Sequence, residues 1–142
     1  MQKIQTVCIL QQDDKVLLGM KKIKFGAGKW NGFGGHVEAD ETIEAAAKRE
    51  VFEEAGIVVS NLEKLGIMEF RFTNDPTIRI VHFFKAIDFE GEPKESDEMR
   101  PEWFAIKDIP YDNMWEADHY WFPVFLSNKK FSGKVLLTTS II

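Results

Sequence analysis

One segment, GKWNGFGGHVEADETIEAAAKREVFEEAGI from Gly28 to Ile57, constrains this chain more than any other. It begins as a loop in which Gly28, Gly32, Gly34 and Gly35 let the backbone turn sharply and bring peptide N–H and C=O groups close to a ligand. It continues as a predicted helix from Thr42 to about Ala55, rich in Ala, Glu, Lys and Arg, with Gly56 where a left-handed residue would cap it. At about 100° per residue, Glu50, Glu53 and Glu54 fall within about 100° of arc, on the side of Ile43, Ala46 and Ala47, where an apolar stripe would continue with Val or Leu. Two carboxylates about 6 Å apart repel by roughly 3 kcal/mol at an effective dielectric of about 20, and acids at a helix C-terminus also oppose the macrodipole. Two arrangements accommodate such a helix. One is a solvated acidic face with pairs such as Glu44 and Lys48; the other is a carboxylate cluster around a hard cation such as Mg2+ or Mn2+, which takes oxygen ligands and completes its shell with water and phosphate.

The flanking sequence predicts strands. QTVCILQQ and KVLLGMK read as a hairpin around Asp13 and Asp14, and LEKLGIMEFRF and TIRIVHFFKAI as a second pair around TNDP. PEWFAI reads as a further strand, and MWEADHYWFPVFLSN as a short helix whose bounds are blurred by Pro123. The class is α+β with a mixed sheet. At 142 residues, with 44% hydrophobic content and no linker-like stretch, one domain over 1–142 is expected. The net charge of −5 and the absence of a basic run argue against a polymeric nucleic acid partner. Cys8 is the only cysteine, so no internal disulfide forms, and the N-terminal MQKIQTVCIL is too short in apolar content for a signal peptide or a membrane span. A cytoplasmic protein with no membrane partner is the expectation. The sequence does not fix the oligomeric state, and a monomer is slightly preferred.

The loop and helix together satisfy the pattern G-x5-E-x7-R-E-U-x-E-E-x-G-U, with U a bulky aliphatic residue, at Gly35, Glu41, Arg49, Glu50, Val51, Glu53, Glu54, Gly56 and Ile57. By this pattern the chain resembles the Nudix hydrolases, which cleave nucleoside diphosphates linked to another moiety. Further matches run in order from about Gly19 to Phe131: GMKK, FGAGKWNGFGG, ETIE, ESDEMRP before WF, MW followed by YWFP, and KKF. They are similar to the MutT-like branch of that family, which acts on oxidised purine nucleoside triphosphates of the 8-oxo-dGTP type.

The resemblance implies an α/β/α sandwich around a mixed sheet and Mg2+-dependent release of pyrophosphate from a small nucleotide. It implies metal binding by Glu50, Glu53, Glu54, the Gly34 and Gly35 backbone and the distant Glu98, with Arg49 and Glu41 orienting the helix. Glu50 or Glu53 would be the general base. The substrate residues implied are Thr6, Lys21, Asn31, Phe33, Gly34, Gly35, His36, Phe70, Phe72, Trp115 and Asp118. Lys21 suits a phosphate contact or a solvated KKIK run, and Asn31 a purine edge or a turn. Phe70, Phe72 and Trp115 suit a stacking wall or plain core. Asp118 can accept from guanine-type N–H groups, or donate if protonated in an apolar pocket. The chain departs from its relatives at Ala117, where they carry a second aspartate, and at Arg79, where they carry an apolar pocket residue. Asp40 replaces a frequent loop Gly at a position that Asp tolerates. The alternatives are a pyrophosphatase of other (d)NTPs or nucleotide derivatives, and a catalytically silent nucleotide- or protein-binding module, against which the intact glutamates argue.

Overall fold

The computed structural model describes residues 1–24 and 26–138; Phe25, part of the FGAGKWNGFGG run, and the last four positions of the expected 1–142 domain lie outside the described residues. Both expected hairpins form. Strand β1 (Gln2–Gln12) turns at Asp13, in the left-handed region, into β2 (Lys15–Lys21), and β4 (Val58–Phe72) turns into β5 (Asp75–Glu90). The two-residue β3 (Trp30–Asn31) and β6 (Met99–Ala105) both pair antiparallel with β2. A last strand not anticipated from sequence, β7 (Phe131–Leu137), lies parallel to β4. The sheet runs β3-β2-β1-β5-β4-β7 with β6 against β2, and its centre is the parallel pairing of β1 with β5, from Gln2 opposite Ile78 to Leu10 opposite Ala86.

Strand alternation sends successive β1 residues to opposite faces, and a helix covers each face. The helix α1 (Ile43–Ala55) packs over Cys8, Leu10, Leu17, Phe33 and Phe84. The helix α2 (Asp118–Leu126) packs over Ile9, Leu18, Val81 and Phe83 with Trp121, Phe122 and Phe125. The result is an α+β sandwich around a mixed sheet. The predicted caps of α1 are in place: Thr42 Oγ1 accepts from the Ala45 N–H at 3.1 Å, and Gly56 has φ 72° with its N–H on the Phe52 carbonyl. Pro123 sits inside α2, five residues after its start, and does not break it. Among the described residues no helix is long and apolar enough to cross a membrane.

Candidate active site

The α1 face of the sheet carries the carboxylates. Glu54, 3% exposed, lies among the buried residues of α1, Glu50 is partly buried, and Glu53 sits at the edge of the stripe with a side chain 55% exposed. The arc expected from sequence is therefore graded from core to solvent. Beside it, the loop after β3 runs antiparallel to β1: Thr6 N–H donates to the Gly35 carbonyl at 2.9 Å, and Cys8 and Phe33 exchange backbone hydrogen bonds. A Cβ at Gly34 would stand 1.7 Å from the Thr6 carbonyl oxygen and break this packing, whereas one at Gly35 would stand 2.0 Å from Glu50 Oε2 and displace that carboxylate. The approach lets the Gly34 N–H donate to Glu54 Oε1 at 3.1 Å.

Charge is balanced by one arginine. Arg49 donates through Nε and Nη2 to both oxygens of Glu41 at 2.7 and 3.0 Å, and through Nη2 to the His36 carbonyl at 3.0 Å. Its Nη1 lies 3.1 Å from Glu53 and 3.6 Å from Glu50. Arg49 thus ties the helix to the loop, and this contact holds the Glu41 carboxyl below its usual range, assisted by the Glu38 N–H. Glu98, far along the chain, comes to the same place, 3.6 Å from Lys21 Nζ. Burial, then repulsion from Glu50, pushes Glu54 up to about 8, with Glu98 adding to the shift. Burial also raises Glu50, against the pull of Arg49 and with repulsion from Glu53 and Glu98. Among the described residues no three acidic, His or Cys side chains already converge as a ligand set. Glu50 and Glu53 are drawn instead toward Arg49, and Glu54 toward Gly34. The donor set still fits a hard cation: all oxygen, in a cradle a Cβ would fill, with two carboxylates whose charge burial and mutual repulsion disfavour.

The α2 face holds a cavity of about 460 Å³, within the range of small-ligand sites. Its lining includes Val7 and Ile9 of β1, Asn31 of β3 and Gly32 of the loop after it, Phe70 and Phe72 of β4, Val81 and Phe83 of β5, and Trp115, Asp118 and Trp121 at α2. Asp118, 8% exposed, accepts from the Trp115 N–H at 3.2 Å and from Trp121 Nε1 at 2.9 Å; burial nevertheless raises it to about 6. Asn31 is held by donation to the Lys29 carbonyl at 2.9 Å.

Of the expected substrate residues, Asn31, Phe70, Phe72, Trp115 and Asp118 meet in this cavity. Lys21, Gly34 and Gly35 belong to the carboxylate region. Three others lie outside the cavity lining. Thr6 alternates with the cavity residues Gln5 and Val7 and is buried on the α1 face, its hydroxyl without a partner among the described residues. Phe33 is fully buried in the α1-side core. His36 lines a separate shallow depression with Lys3, Ile4 and Ile43. Trp121 went unanticipated, although its place one helical turn after Asp118 is the spacing that brings their side chains together. Asp40 is left-handed at φ 69°, as its position allows.

From Asn31 to Gly35 the chain leads from cavity to carboxylates, four residues that span at most about 14 Å. A flat group in the one and a phosphoanhydride at the other would fit a single nucleotide. Residues 1–125 match the NUDIX domain family. The chain is 53% identical over 131 residues to an oxidized purine nucleoside triphosphate hydrolase of Danio rerio and 50% identical to one of Mus musculus, each alignment covering 92% of this chain and 84% of the relative. Its fold superimposes on the crystal structure of a mutator MutT protein from Bacillus halodurans with a TM-score of 0.86 and 32% identity, covering 99% of this chain and 93% of that one. The fold is that of a class of enzymes that hydrolyse phosphoanhydrides, and the chain belongs to the Nudix hydrolase family. Nudix hydrolases generally need a divalent cation.

Proposed function

We propose that the protein is a Mg2+-dependent pyrophosphohydrolase of oxidised purine nucleoside triphosphates of the 8-oxo-dGTP type, releasing the monophosphate and pyrophosphate and so clearing the nucleotide pool. The observation that carries this reading is the aromatic cavity with Asn31 and Asp118, joined by one short loop to the buried carboxylates. The relatives from Danio rerio and Mus musculus are named for the same substrate class.

Glu50, Glu53 and Glu54, with the backbone of Gly34 and Gly35 and with Glu98, would hold the cation. When bound, the cation neutralises charge on the phosphate oxygens and makes a water nucleophilic. Glu50 or Glu53 would serve as the general base. Arg49 and Glu41 fix the helix against the loop, and Lys21 offers its ammonium to a phosphate at the expense of Glu98. In the cavity, Trp115, Phe70 and Phe72 stack on the base. Asp118 accepts from its N–H groups, each oxygen retaining a lone pair beyond the bond it already receives. We place the enzyme in the cytoplasm, as a monomer acting on free nucleotides rather than on a polymer or a membrane.

Ala117 favours a second reading of the same chemistry, a broader (d)NTP pyrophosphatase, since it lines the cavity without a polar group. Pyrophosphate release from a panel of (d)NTPs and their oxidised analogues separates the two. A kcat/KM for 8-oxo-dGTP at least about 10-fold above that for dGTP supports the first reading, on the scale of one or two hydrogen bonds; equal values establish the second.

A further inference from the structure

Lys29 lines the base cavity and has no part in that scheme. It ends the loop between β2 and β3, and from there it meets three groups of the cavity wall. Its carbonyl accepts from Asn31 Nδ2 at 2.9 Å and from the Lys21 N–H at 3.0 Å. Its ammonium lies over the Trp115 ring, 5.2 Å from the centroid. Trp115 in turn is bound to Asp118 in both directions: its N–H donates to Oδ2 at 3.2 Å, and its carbonyl accepts the Asp118 N–H at 3.0 Å.

The aromatic residues of the wall differ in how they are held. Phe70 and Phe72 are fixed by β4 and Trp121 by α2, whereas Trp115 lies outside any helix or strand and is partly exposed. The placement of its ring therefore depends on side-chain and loop contacts. Gly26, left-handed at φ 88°, brings bare backbone to the ring, where a Cβ would stand 3.3 Å from Trp115 Cζ2. Lys29 supplies the attraction of a cation for an indole face.

The remaining polar side chains of the wall have other contacts. Arg79 is engaged by Asp75 and Phe72, Gln5 lies 3.5 Å from His36, and Glu116 is exposed and forms no ion pair with Lys29. Burial raises Asp118 to about 6; against it stand the two tryptophan hydrogen bonds, then the charges of His119 on α2 and Lys29 on the loop. Tyr111, pushed up by burial and then by Asp118, stays a neutral phenol beside it.

We propose that Lys29 is a positioning residue of the base cavity, acting on a bound purine through Trp115, whose ring its ammonium holds in the wall, and through Asp118, whose charge it supports as an acceptor for purine N–H groups. The proposal rests on the nucleotide reading above and deepens it.

The test is calorimetric titration of the full chain in EDTA, where no turnover occurs, with 8-oxo-dGMP and with 8-oxo-deoxyguanosine over a series of pH values. Lys29, Lys29→Met and Lys29→Arg are compared in a His119→Gln background, so that the charge of His119 does not enter the profile. Loss of the cation–π contact predicts that Lys29→Met weakens both ligands about 5-fold. The midpoint at which affinity rises with pH should move upward, because a cation that favours the carboxylate is gone. Lys29→Arg, which keeps the charge and stacks on aromatic faces, should restore both. In a Trp115→Leu background the effect of Lys29→Met on affinity should vanish well above the midpoint. Unchanged affinity in Lys29→Met overturns the proposal, and an unmoved midpoint overturns the part played through Asp118. Equal losses in Lys29→Met and Lys29→Arg overturn it by assigning the effect to the lysine stem. A loss with the monophosphate but not the nucleoside overturns it by assigning Lys29 to the phosphate. Tighter binding by Lys29→Met overturns it as well, since the ammonium would then cover the ring face that the base needs. A wild type that binds neither ligand overturns the nucleotide reading itself and this proposal with it, whereas one that binds 8-oxo-dGMP no better than dGMP counts against the oxidised-purine reading alone.

Discussion

The two faces of the sheet are built in opposite ways. On the α1 face, the loop and helix from Gly34 to Glu54 bring nearly every charged group together, and only Glu98 and Lys21 arrive from elsewhere. On the α2 face the cavity is assembled from β1, the loop, β4, β5 and α2, so its walls exist only through the pairing of distant strands. The first face is a set of carboxylates kept close against their repulsion, suited to metal and phosphate. The second is apolar and aromatic, with its hydrogen-bonding groups positioned by tryptophans and backbone. On the function proposed above, the local unit carries the chemistry that any substrate of the class shares, and the dispersed one the choice among substrates.

Removing the cation or one carboxylate should break the first face alone. Excess EDTA should abolish pyrophosphate release, with recovery on adding Mg2+, while circular dichroism stays unchanged because the sheet does not depend on the ion. Glu50→Gln should cost at least about 100-fold in kcat and leave the melting temperature equal or higher, since a half-buried, repelled charge is removed. A variant that loses stability and keeps its rate would show Glu50 to be structural.

Smaller and sharper is the contrast between adjacent glycines. Gly35→Ala meets the end of the Glu50 side chain, which can swing aside, so activity should fall about 10-fold or more with little change in stability. Gly34→Ala meets the backbone of Thr6 and should cost about 2–3 kcal/mol in chemical denaturation. Equal effects of the two would mean that the loop moves as one piece.

The smallest effects concern pH. Glu54 has a folded pKa raised to about 8, so the charged form is disfavoured in the native state. In EDTA, stability should be full below about 4.5, fall as pH rises, and level off above about 8; Glu54→Gln should flatten the curve. On the cavity side, Asp118 titrates near 6, and affinity for 8-oxo-dGMP should rise a few-fold as pH passes upward through that value. Asp118→Asn should be flat over the same range, measured by titration in EDTA.

The same division explains what the sequence reveals. The helix α1 was legible because Thr42, the alanines, the acids and Gly56 signal within a few residues of one another. The hairpins were legible from Asp13 and from TNDP. Strand β7 was not, because FSGKVLL is short, carries Gly133 and is largely exposed, and it becomes a strand by lying beside β4. The burial of Thr6 and Phe33 on the α1 side was not legible, because parity along β1 and across the bridge to Phe33 is set by the sheet and not by the residue. Arg79 was noticed as a departure, but its contacts with Phe72 of β4 and Asp75 of its own strand follow from the pairing of β4 with β5.

The parallel register of β1 with β5 also shapes the time course of folding. Residues near the start of the chain pair with residues of its second half, and no turn between neighbours can bring them together. Such contacts carry a large loop-closure entropy and form slowly, whereas a capped helix and antiparallel hairpins form in microseconds. During synthesis α1 and its glycine loop leave the ribosome long before β5 can meet β1, so the nascent chain holds its carboxylates before it has a floor on which a base could rest. Substitutions along the β1–β5 seam should accordingly slow refolding, and so should destabilising substitutions in α1, which forms before the seam closes, with the rate of unfolding nearly unchanged.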